Sequence, residues 1–173
     1  MNRRYKREFY LDDVLQVAPA LLGQHLVSQQ PDGTRRVYTI TETEAYRGED
    51  DLACHASRGR TRRTEVMFRE GGLLYIYFIY GMYWMMNVVT GATGAPQAVL
   101  IRGLREARGP GRLTRLIGVD GSYYGEDLVA SSRIWIEPAG ITPPFTAGPR
   151  VGIDYAGDPW KEKPWRFLVT DEG

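Results

Sequence analysis

Hydrophobic positions along this chain recur first at helical spacing and then mostly in the alternation typical of β-strands. Apolar residues in 11–23 recur every three or four positions, which predicts a helix that Asp12 or Asp13 caps and Gly23 ends. Pro19 lies late in this pattern and should kink or shorten the helix. The remaining pattern is dominated by short strands.

The predicted strands are separated by turn-forming residues. Pro31, Asp32 and Gly33 follow the first strand and favour a hairpin turn. A short helix is predicted at 112–117, and 148–152 is expected to be an irregular crossing between two strands. The strands are predicted at 25–29, 36–46, 73–80, 85–90, 98–103, 132–137 and 165–169.

Length and the order of these elements predict one domain over 1–173. A chain of 173 residues can bury a substantial core, and no repeat, linker or low-complexity tract divides it. We therefore expect an α+β fold with a curved, mainly antiparallel β-sheet, a protruding hairpin and a few packed helices. The polar residues 1–8 are expected to be flexible, and a long polar loop is expected at 47–63.

Two carboxylates enter the predicted sheet in the strand that ends at Tyr46. Alternation places Glu42, Glu44 and Tyr46 on one face, directly after the apolar segment 37–40. Burying a carboxylate costs roughly several kcal/mol unless it is paired or hydrogen-bonded. A glutamate at this position therefore needs a partner or a chemical role.

An aromatic run at 74–84 accompanies this strand. It is too short to span a membrane, and Gly81 divides it as a hairpin turn would. No other segment is long enough to cross a bilayer, so no membrane contact is expected. Aromatic rings beside a carboxylate would suit a pocket for a flat ligand.

The formal net charge is only +1, but the arginines are clustered. Arginine outnumbers lysine, and its planar guanidinium suits bidentate contacts with phosphate. The clusters are either solvated faces or sites for a polyanion, and the N-terminus of the helix at 112–117 is either an anion site or part of an ordinary surface helix. The clusters comprise Arg58, Arg60, Arg62, Arg63 and Arg69, and Arg102, Arg105, Arg108, Arg112 and Arg115.

Cysteine and histidine are scarce in this chain. Cys54 is the single cysteine, which excludes an internal disulfide and indicates a reducing compartment. His25 and His55 provide no zinc-binding spacing, and we expect neither a metal nor a cofactor. No apolar signal segment precedes Phe9, so we expect a location in the cytoplasm, associated with the nucleoid, if the source is bacterial. We also expect the protein to be a monomer.

A series of short motifs runs from about Phe9 to Val169. They are Glu42-Thr43-Glu44-Ala45-Tyr46 with Gly48, Asp50, Asp51 and His55; Met67-Phe68; the run 75–82 with Asn87; Leu100-Ile101-Arg102; and the segments 109–114, 149–153 and 164–167. In sequence and order these motifs resemble the alkyladenine DNA glycosylase family, also called 3-methyladenine DNA glycosylases. So many motifs in one order make the resemblance specific.

The resemblance implies a monofunctional DNA glycosylase, a hydrolase of base-excision repair. Such an enzyme flips an alkylated or deaminated purine out of double-stranded DNA and hydrolyses its N-glycosidic bond with water, leaving an abasic site. The implied lesions are 3-methyladenine, 7-methylguanine, hypoxanthine and ethenoadenine. A Schiff-base step is not expected, because Lys6, Lys161 and Lys163 lie away from the motifs. No residue presents itself as the acid that a neutral leaving base needs.

The resemblance assigns the reacting groups to three positions. Glu44 matches the general base, with Arg102 and the main-chain carbonyl of Val151 around the attacking water. An arginine beside Glu44 would also keep the carboxylate ionised despite burial. Glu42 is the nearest competitor for this role, and we interpret it as a member of a structural ion pair.

The resemblance also assigns a pocket for the flipped base. Tyr46 and Tyr77 match the stacking residues, and His55 lies across the pocket from them. Asn87 would exclude ordinary guanine, whose 2-amino group would clash. Tyr80, at the hairpin tip, matches the residue that intercalates into the DNA; the alternative is an aromatic residue of the core or sheet edge.

The same resemblance gives the arginines a role in binding DNA. Contacts with backbone phosphates, independent of base sequence, are expected from Arg58, Arg60, Arg62, Arg63 and Arg112. The acidic residues 49–51 must then face away from the DNA or brace these arginines.

The chain departs from the family pattern in one loop and beside the pocket. After Leu104 the usual Glu-Pro is replaced by Arg105-Glu106, and the segment before Gly109 is shorter than in most relatives, so we expect a trimmed peripheral loop. The neighbours of the pocket that differ, and that could change the lesions accepted, are Thr64 in place of Asn, Cys54 in place of Ala or Ser, and Tyr83 in place of His.

Two other functions stay open on sequence grounds. A non-catalytic module could bind nucleic acid through stacked tyrosines, with Glu44 purely structural. A small-molecule hydrolase using the paired carboxylates would turn over without DNA and without salt dependence. The joint presence of Glu44 and Arg102 favours the glycosylase.

Overall fold

The structure, a computed structural model, describes residues 3–170 and is built on one curved antiparallel β-sheet. The helices are α1 (Arg7–Tyr10), α2 (Val14–Ala20) and α3 (Pro110–Ile117). The strands are β1 (His25–Gln29), β2 (Arg35–Arg47), β3 (Leu74–Ile79), β4 (Tyr83–Thr90), β5 (Gln97–Leu104), β6 (Ile134–Glu137), β7 (Phe145–Gly148) and β8 (Arg166–Val169). The predicted α+β class is confirmed. Between positions 3 and 170, no helix is long and apolar enough to cross a membrane.

Strand β2 organises the sheet, whose order is β3-β4-β5-β2-β1-β6, with β8 on β2 and β7 on β8. Its first half pairs with β1, and its second half lies between β5 and β8. The register with β5 shifts between Ile40 and Thr43, an irregularity of the kind that bends a strand. The second half of β2, which carries Glu44, is therefore enclosed on both edges.

The core lies between the sheet and the helices. Helix α2 packs against β2 and β5, and the Thr43 hydroxyl donates a hydrogen bond to the Ala18 carbonyl at 2.8 Å. Helix α3 packs mainly on β4, where Leu113 and Ile117 are buried. This packing holds β2, β4 and β5, the strands that carry most of the candidate site, as one rigid surface.

Helix α2 is shorter than the pattern at 11–23 predicts. Asp13, one of the two predicted caps, accepts a hydrogen bond from the Leu15 N–H at 2.8 Å, so the helix begins only at Val14. Pro19 lies inside the last turn, and the helix ends at Ala20.

The chain is structured before this helix, where the sequence predicts flexible residues at 1–8. Helix α1 begins at Arg7, the Tyr5 ring stacks on Phe9 at 3.9 Å, and the Tyr5 N–H donates to the Ile136 carbonyl at 2.9 Å. The first two residues of that range lie outside the described residues. Periodicity missed α1 because a single four-residue turn is too short to show it.

Strand β7 was not predicted, and it precedes the irregular segment expected at 148–152. It pairs with β8 in register from Phe145↔Val169 to Gly148↔Arg166. Three of its four residues are exposed, so no buried face marks it in the sequence. Pairing with β8, rather than hydrophobic pattern, defines this strand.

The hairpin of β3 and β4 pairs Ile79 with Tyr83, which leaves Tyr80, Gly81 and Met82 in its loop. Tyr80 and Gly81 both have positive φ, 57° and 60°, and the Met82 N–H donates to the Ile79 carbonyl at 3.1 Å. Tyr80 is the non-glycine residue with positive φ between positions 3 and 170. A tyrosine in this conformation is strained, and its ring projects from the turn.

Candidate active site and nucleic-acid interface

A cavity of about 1140 Å³ lies on the face of the sheet formed by β2, β3, β4 and β5. Loop residues 52–64, the start of α3 and the segment 151–155 complete its walls. Of the residues that sequence analysis selected, those at the cavity are Glu44, Tyr46, His55, Arg58, Arg63, Tyr77, Tyr80, Asn87, Arg102, Arg112 and Val151; Arg60 and Arg62 do not line it. Residues from distant parts of the chain thus converge on one site.

Glu44 is fully buried at the wall of this cavity. Its Oε1 accepts a hydrogen bond from the Tyr46 hydroxyl at 3.0 Å, and its Oε2 accepts one from the Val151 N–H at 2.6 Å. Burial raises the pKa of the Glu44 carboxyl, a rise opposed by the Val151 N–H, the Arg102 charge and the Tyr46 hydroxyl and increased by Glu42. The carboxylate is thus poised for proton uptake at a higher pH than an exposed glutamate.

Arg102 pairs with Glu42 and not with Glu44. Its Nε lies 2.7 Å from Oε1 of Glu42, although this N–H is not aligned as a hydrogen bond. Arg166 on β8 donates from Nε to the same oxygen at 3.2 Å. Glu42 therefore has the ion pair interpreted for it, and Arg102 acts on Glu44 only through its charge.

Val151 contacts Glu44 through its main-chain N–H, which donates to the carboxylate. The resemblance assigns the carbonyl of Val151 to the attacking water, and that role stays a prediction. Val151 is 44% exposed, so side-chain packing contributes little to its position. Its position depends on the chain on either side.

The rings selected as a base pocket surround the cavity. The His55 ring lies edge-on to Tyr77 at 4.6 Å between centroids, and Tyr75 is tilted against Tyr77 at 5.3 Å. Tyr46 packs in the same apolar cluster as Tyr77. Sequence analysis missed Tyr75, whose hydroxyl lies 2.7 Å from Nδ1 of His55, although its place two residues before Tyr77 on one strand face was a usable signal.

His55 is neutral at physiological pH. Burial and the positive charges of Arg63 and Arg58 lower the pKa of its imidazole to about 4. The ring therefore supplies an aromatic edge and one hydrogen-bonding nitrogen at the cavity rather than a positive charge.

Asn87 is buried on β4 at the cavity wall. Its Nδ2 donates to the Tyr75 carbonyl at 3.1 Å, and its strand pairs it with Tyr75 on β3 and Leu100 on β5. The amide is fixed by this contact, so a group that enters the cavity beside it meets a rigid wall.

The hairpin tip carries exposed apolar side chains. Tyr80 is 83% exposed, Met82 is 56% exposed and Phe78 is 46% exposed. The alternative in which Tyr80 is a core or edge aromatic does not fit this exposure. The turn instead presents a large ring beside the mouth of the cavity.

The selected arginines differ in their surroundings, although all five are exposed. The Arg63 guanidinium lies over the Tyr77 ring at 5.0 Å, whereas Arg60 pairs with Glu65 at 3.2 Å. Arg58 and Arg112 line the cavity, and Arg112 lies in the first turn of α3. Arg63 thus belongs to the aromatic pocket as much as to the surface.

The acidic segment 49–51 was expected to face away from the DNA or to brace the clustered arginines, but the arginine that it braces lies outside those clusters. Glu49 and Asp50 are exposed, but Asp51 is buried in a bidentate ion pair with Arg150, at 2.6 and 3.0 Å. Arg150 lies outside the clusters that sequence analysis selected; it falls in the motif 149–153, but no apolar pattern there indicates that its side chain is buried.

Three of the residues that depart from the family pattern line the cavity: Thr64, Cys54 and Tyr83. The Thr64 hydroxyl accepts from the Thr61 N–H at 2.9 Å and donates to the Gly59 carbonyl at 3.1 Å, which ties the loop together. Cys54 is buried, and burial raises the pKa of its thiol to about 11. Tyr83 lies so close to Gly111 that a Cβ there would come within 2.4 Å of its ring.

The expected trimmed loop is a tight turn at Arg105-Glu106. Leu104 and Ala107 exchange two backbone hydrogen bonds, at 2.9 and 3.2 Å, so only two residues connect them. Gly109 then donates to the Arg102 carbonyl at 3.1 Å, and α3 begins at Pro110. Within 3–170, no three histidine, cysteine or carboxylate side chains are grouped so as to hold a metal ion.

Fold and cavity together define an α+β protein with an aromatic pocket beside a buried carboxylate. The model of the methylpurine-DNA glycosylase family matches residues 8–108 and 105–173, and its two segments meet at the tight turn. The chain therefore belongs to the methylpurine-DNA glycosylase family, as the motifs predicted.

Relatives of similar length include three proteins provisionally named 3-methyladenine DNA glycosylase. One from Anaeromyxobacter sp. (strain Fw109-5) is 48% identical, with 94% of this chain and 87% of the relative covered. One from Myxococcus xanthus is 44% identical, with 94% and 88% covered. One from Rickettsia felis is 40% identical, with 95% and 92% covered.

Proposed function

We propose that this protein is a monofunctional DNA glycosylase that removes alkylated or deaminated purines from double-stranded DNA. Its proposed lesions are 3-methyladenine, 7-methylguanine, hypoxanthine and ethenoadenine. The observation that carries the proposal is the buried carboxylate of Glu44 at the wall of a cavity ringed by tyrosines. We further propose that it acts as a monomer on chromosomal DNA, in the cytoplasm of a bacterial cell.

Tyr80 would fill the space that a flipped nucleotide leaves. Unstacking and unpairing a base costs about a few kcal/mol, and an inserted ring offsets part of this cost. The exposure of Tyr80 and its place in the hairpin loop support this role. The arginines at the mouth, Arg58 and Arg112, would neutralise nearby phosphates.

The flipped purine would lie among Tyr46, Tyr77 and His55. Stacking against such rings is worth about 1–3 kcal/mol per base and tolerates varied modifications. The rigid amide of Asn87 would reject ordinary guanine through its 2-amino group. Selection would thus depend on exclusion at one edge and on non-specific stacking at the faces.

Glu44 would act as the general base. The carboxylate takes a proton from water, the water oxygen bonds to C1′, and the base departs with the electrons of the N-glycosidic bond. In the free protein both Glu44 oxygens already accept hydrogen bonds and the side chain is fully buried. Each carboxylate oxygen can accept a second hydrogen bond, so the water would bind there when the nucleotide enters, with the contacts to Tyr46 and Val151 kept.

The leaving base divides the lesions into two classes. A cationic 3-methyl or 7-methyl purine departs as a neutral molecule, whereas hypoxanthine departs with developing negative charge. Among the described residues that line the cavity, we assign none as the acid for it, because His55 is neutral. The positive charges of Arg58 and Arg63 at the cavity would stabilise that charge instead.

Excision from a hypoxanthine-containing duplex, followed by strand scission in hot alkali, tests the proposal. Wild-type protein should yield scission, and Glu44→Gln should abolish it while DNA binding persists. Glu42→Gln is the matched control, because it removes the neighbouring carboxylate that is already ion-paired. Equal scission by Glu44→Gln and wild type would refute the role of Glu44.

The second candidate is a nucleic-acid-binding module without catalysis. The burial of Glu44 and its hydrogen bonds with Tyr46 and Val151 favour it, because a carboxylate held in this way could serve structure alone. It predicts lesion-selective binding with no abasic product for any member of the lesion panel.

A further inference from the structure

A buried ion pair lies next to the candidate base and is not explained by the proposed chemistry. Arg150 and Asp51 are almost completely inaccessible to solvent, and two hydrogen bonds, at 2.6 and 3.0 Å, join them. A well-packed apolar pair would fill such a position at no lower stability. An ion pair in this place is therefore better explained by the geometry that it imposes.

The pair connects three separate segments of the chain. Arg150 donates from Nη1 to the carbonyl of Ala45, the residue between Glu44 and Tyr46, at 3.0 Å. Its Nη2 lies 3.3 Å from the Trp160 carbonyl. Asp51 accepts from the backbone N–H groups of Arg47 and Ala53, at 3.0 and 3.1 Å, which fixes the loop after β2.

The guanidinium also lies between two aromatic rings. Its central carbon is 4.9 Å from the Tyr46 ring and 5.0 Å from the Trp165 ring. Tyr46 is the residue whose hydroxyl donates to Glu44, and the residue after Arg150 is Val151, whose N–H donates to the other oxygen of Glu44. Both hydrogen bonds to Glu44 thus come from groups that Arg150 holds.

We propose that Asp51 and Arg150 are a positioning pair: their ion pair holds the Val151 N–H and the Tyr46 ring against the carboxylate of Glu44. The effect of this pair on catalysis rests on the proposed function. The effect of the pair on the position and pKa of Glu44 does not. Neither residue lines the cavity.

The ionisable groups around Glu44 determine how its pKa would change if Val151 were displaced. Glu42 and Tyr46 lie on its own strand, Arg102 on β5 and Tyr77 on β3, while Arg166 on β8 is held by Glu42. The Val151 N–H is the strongest of the contacts that favour the ionised form of Glu44. Displacing Val151 should therefore make Glu44 retain its proton to higher pH.

The test uses Arg150→Lys, which keeps the charge but loses the fork, with Asp51→Asn as a second variant. Single-turnover excision of hypoxanthine is measured against pH, with DNA affinity and thermal unfolding alongside. We expect an excision rate about tenfold lower near neutral pH. The acidic limb of the pH–rate profile should move up by about one pH unit, because the charge-assisted hydrogen bond from the Val151 N–H to Glu44 is lost. DNA affinity should change by less than about threefold, because the pair is buried.

The matched control is Asp127→Asn, which breaks the ion pair with Arg7 away from the cavity. It should lower the unfolding temperature and leave the acid limb in place. If Arg150→Lys and Asp51→Asn behave like this control, the pair is only structural and the proposal is overturned.

A second readout separates this proposal from the proposed function. The titration of Glu44 is followed by carbon-13 NMR of labelled glutamate side chains in the wild type and both variants, without DNA. An upward shift of the Glu44 midpoint supports the positioning pair even if the wild type excises no lesion. An unchanged midpoint in folded variants refutes it, whatever the excision assay shows.

Discussion

The floor of the cavity and its rim hold their polar groups in opposite ways. On the floor, Glu44 is buried and hydrogen-bonded, and the buried Asp51–Arg150 pair lies behind it without lining the cavity. On the rim, Tyr80 and Arg112 are exposed. Groups proposed to react are thus fixed before DNA arrives, whereas groups proposed to touch DNA remain free to adjust to it.

The largest expected effect concerns the floor and appears as a dependence on pH. A general base works only when ionised, and burial raises the pKa of Glu44 above its ordinary value. The single-turnover rate should therefore fall about tenfold for each pH unit below that raised pKa. Rates between pH 4 and 8, at saturating protein, measure this limb.

His55 provides the control for the assignment of that limb. Its pKa is lowered to about 4, so His55→Gln should reduce the rate without moving a limb that lies above this value. A limb that disappears in His55→Gln would show that the imidazole, and not Glu44, governs the reaction. The fixed floor would then not be the reactive part of the site.

The next effect concerns the wall between floor and rim. Tyr77→Leu removes one stacking face, worth about 1–3 kcal/mol, so excision at limiting protein should fall roughly 5- to 150-fold. Tyr77→Phe keeps the ring and should stay within about threefold of the wild type. Similar losses in both variants would assign the effect to the hydroxyl and not to stacking.

The features that could be predicted from the sequence depend on interactions between residues close together in the chain. Strand β1 was predicted at its observed bounds, and alternation placed Glu44 and Tyr46 on one face, where their side chains meet. Asp13 as helix cap and Gly81 as turn residue are likewise local chemistry. The order of the motifs was enough to predict the family.

The interactions that could not be predicted are long-range. Asp51 and Arg150 are 99 positions apart, and neither carries a local signal of burial. Arg102 was expected beside Glu44, but it pairs with Glu42, at a register shift between β2 and β5. Strand β7 depends on its pairing with β8, and no hydrophobic alternation in its own sequence predicts it.

A smaller effect concerns the rim and separates function from stability at one position. Tyr80→Ser should lower excision about tenfold from paired duplex and less from a single strand, where no base must be unpaired. Tyr80→Asn should do the same while raising the free energy of unfolding by about 1 kcal/mol, because asparagine tolerates positive φ and the ring is largely exposed. Equal excision losses from duplex and single strand would remove Tyr80 from the flipping step.

The smallest effect distinguishes two neighbouring arginines of the rim. Arg62→Gln should weaken binding of all lesions equally, by a few-fold, and lower the slope of log affinity against log salt by about 1, as the loss of one phosphate contact does. Arg63 lies over the Tyr77 ring, so Arg63→Gln should lower hypoxanthine excision about threefold more than 7-methylguanine excision, because only the neutral base departs with negative charge. Parallel single-turnover assays with both lesions measure the ratio. If Arg63→Gln lowers hypoxanthine and 7-methylguanine excision by the same factor and changes the salt slope as Arg62→Gln does, Arg63 contacts phosphate as Arg62 does. Arg63 would then belong to the rim and not to the wall.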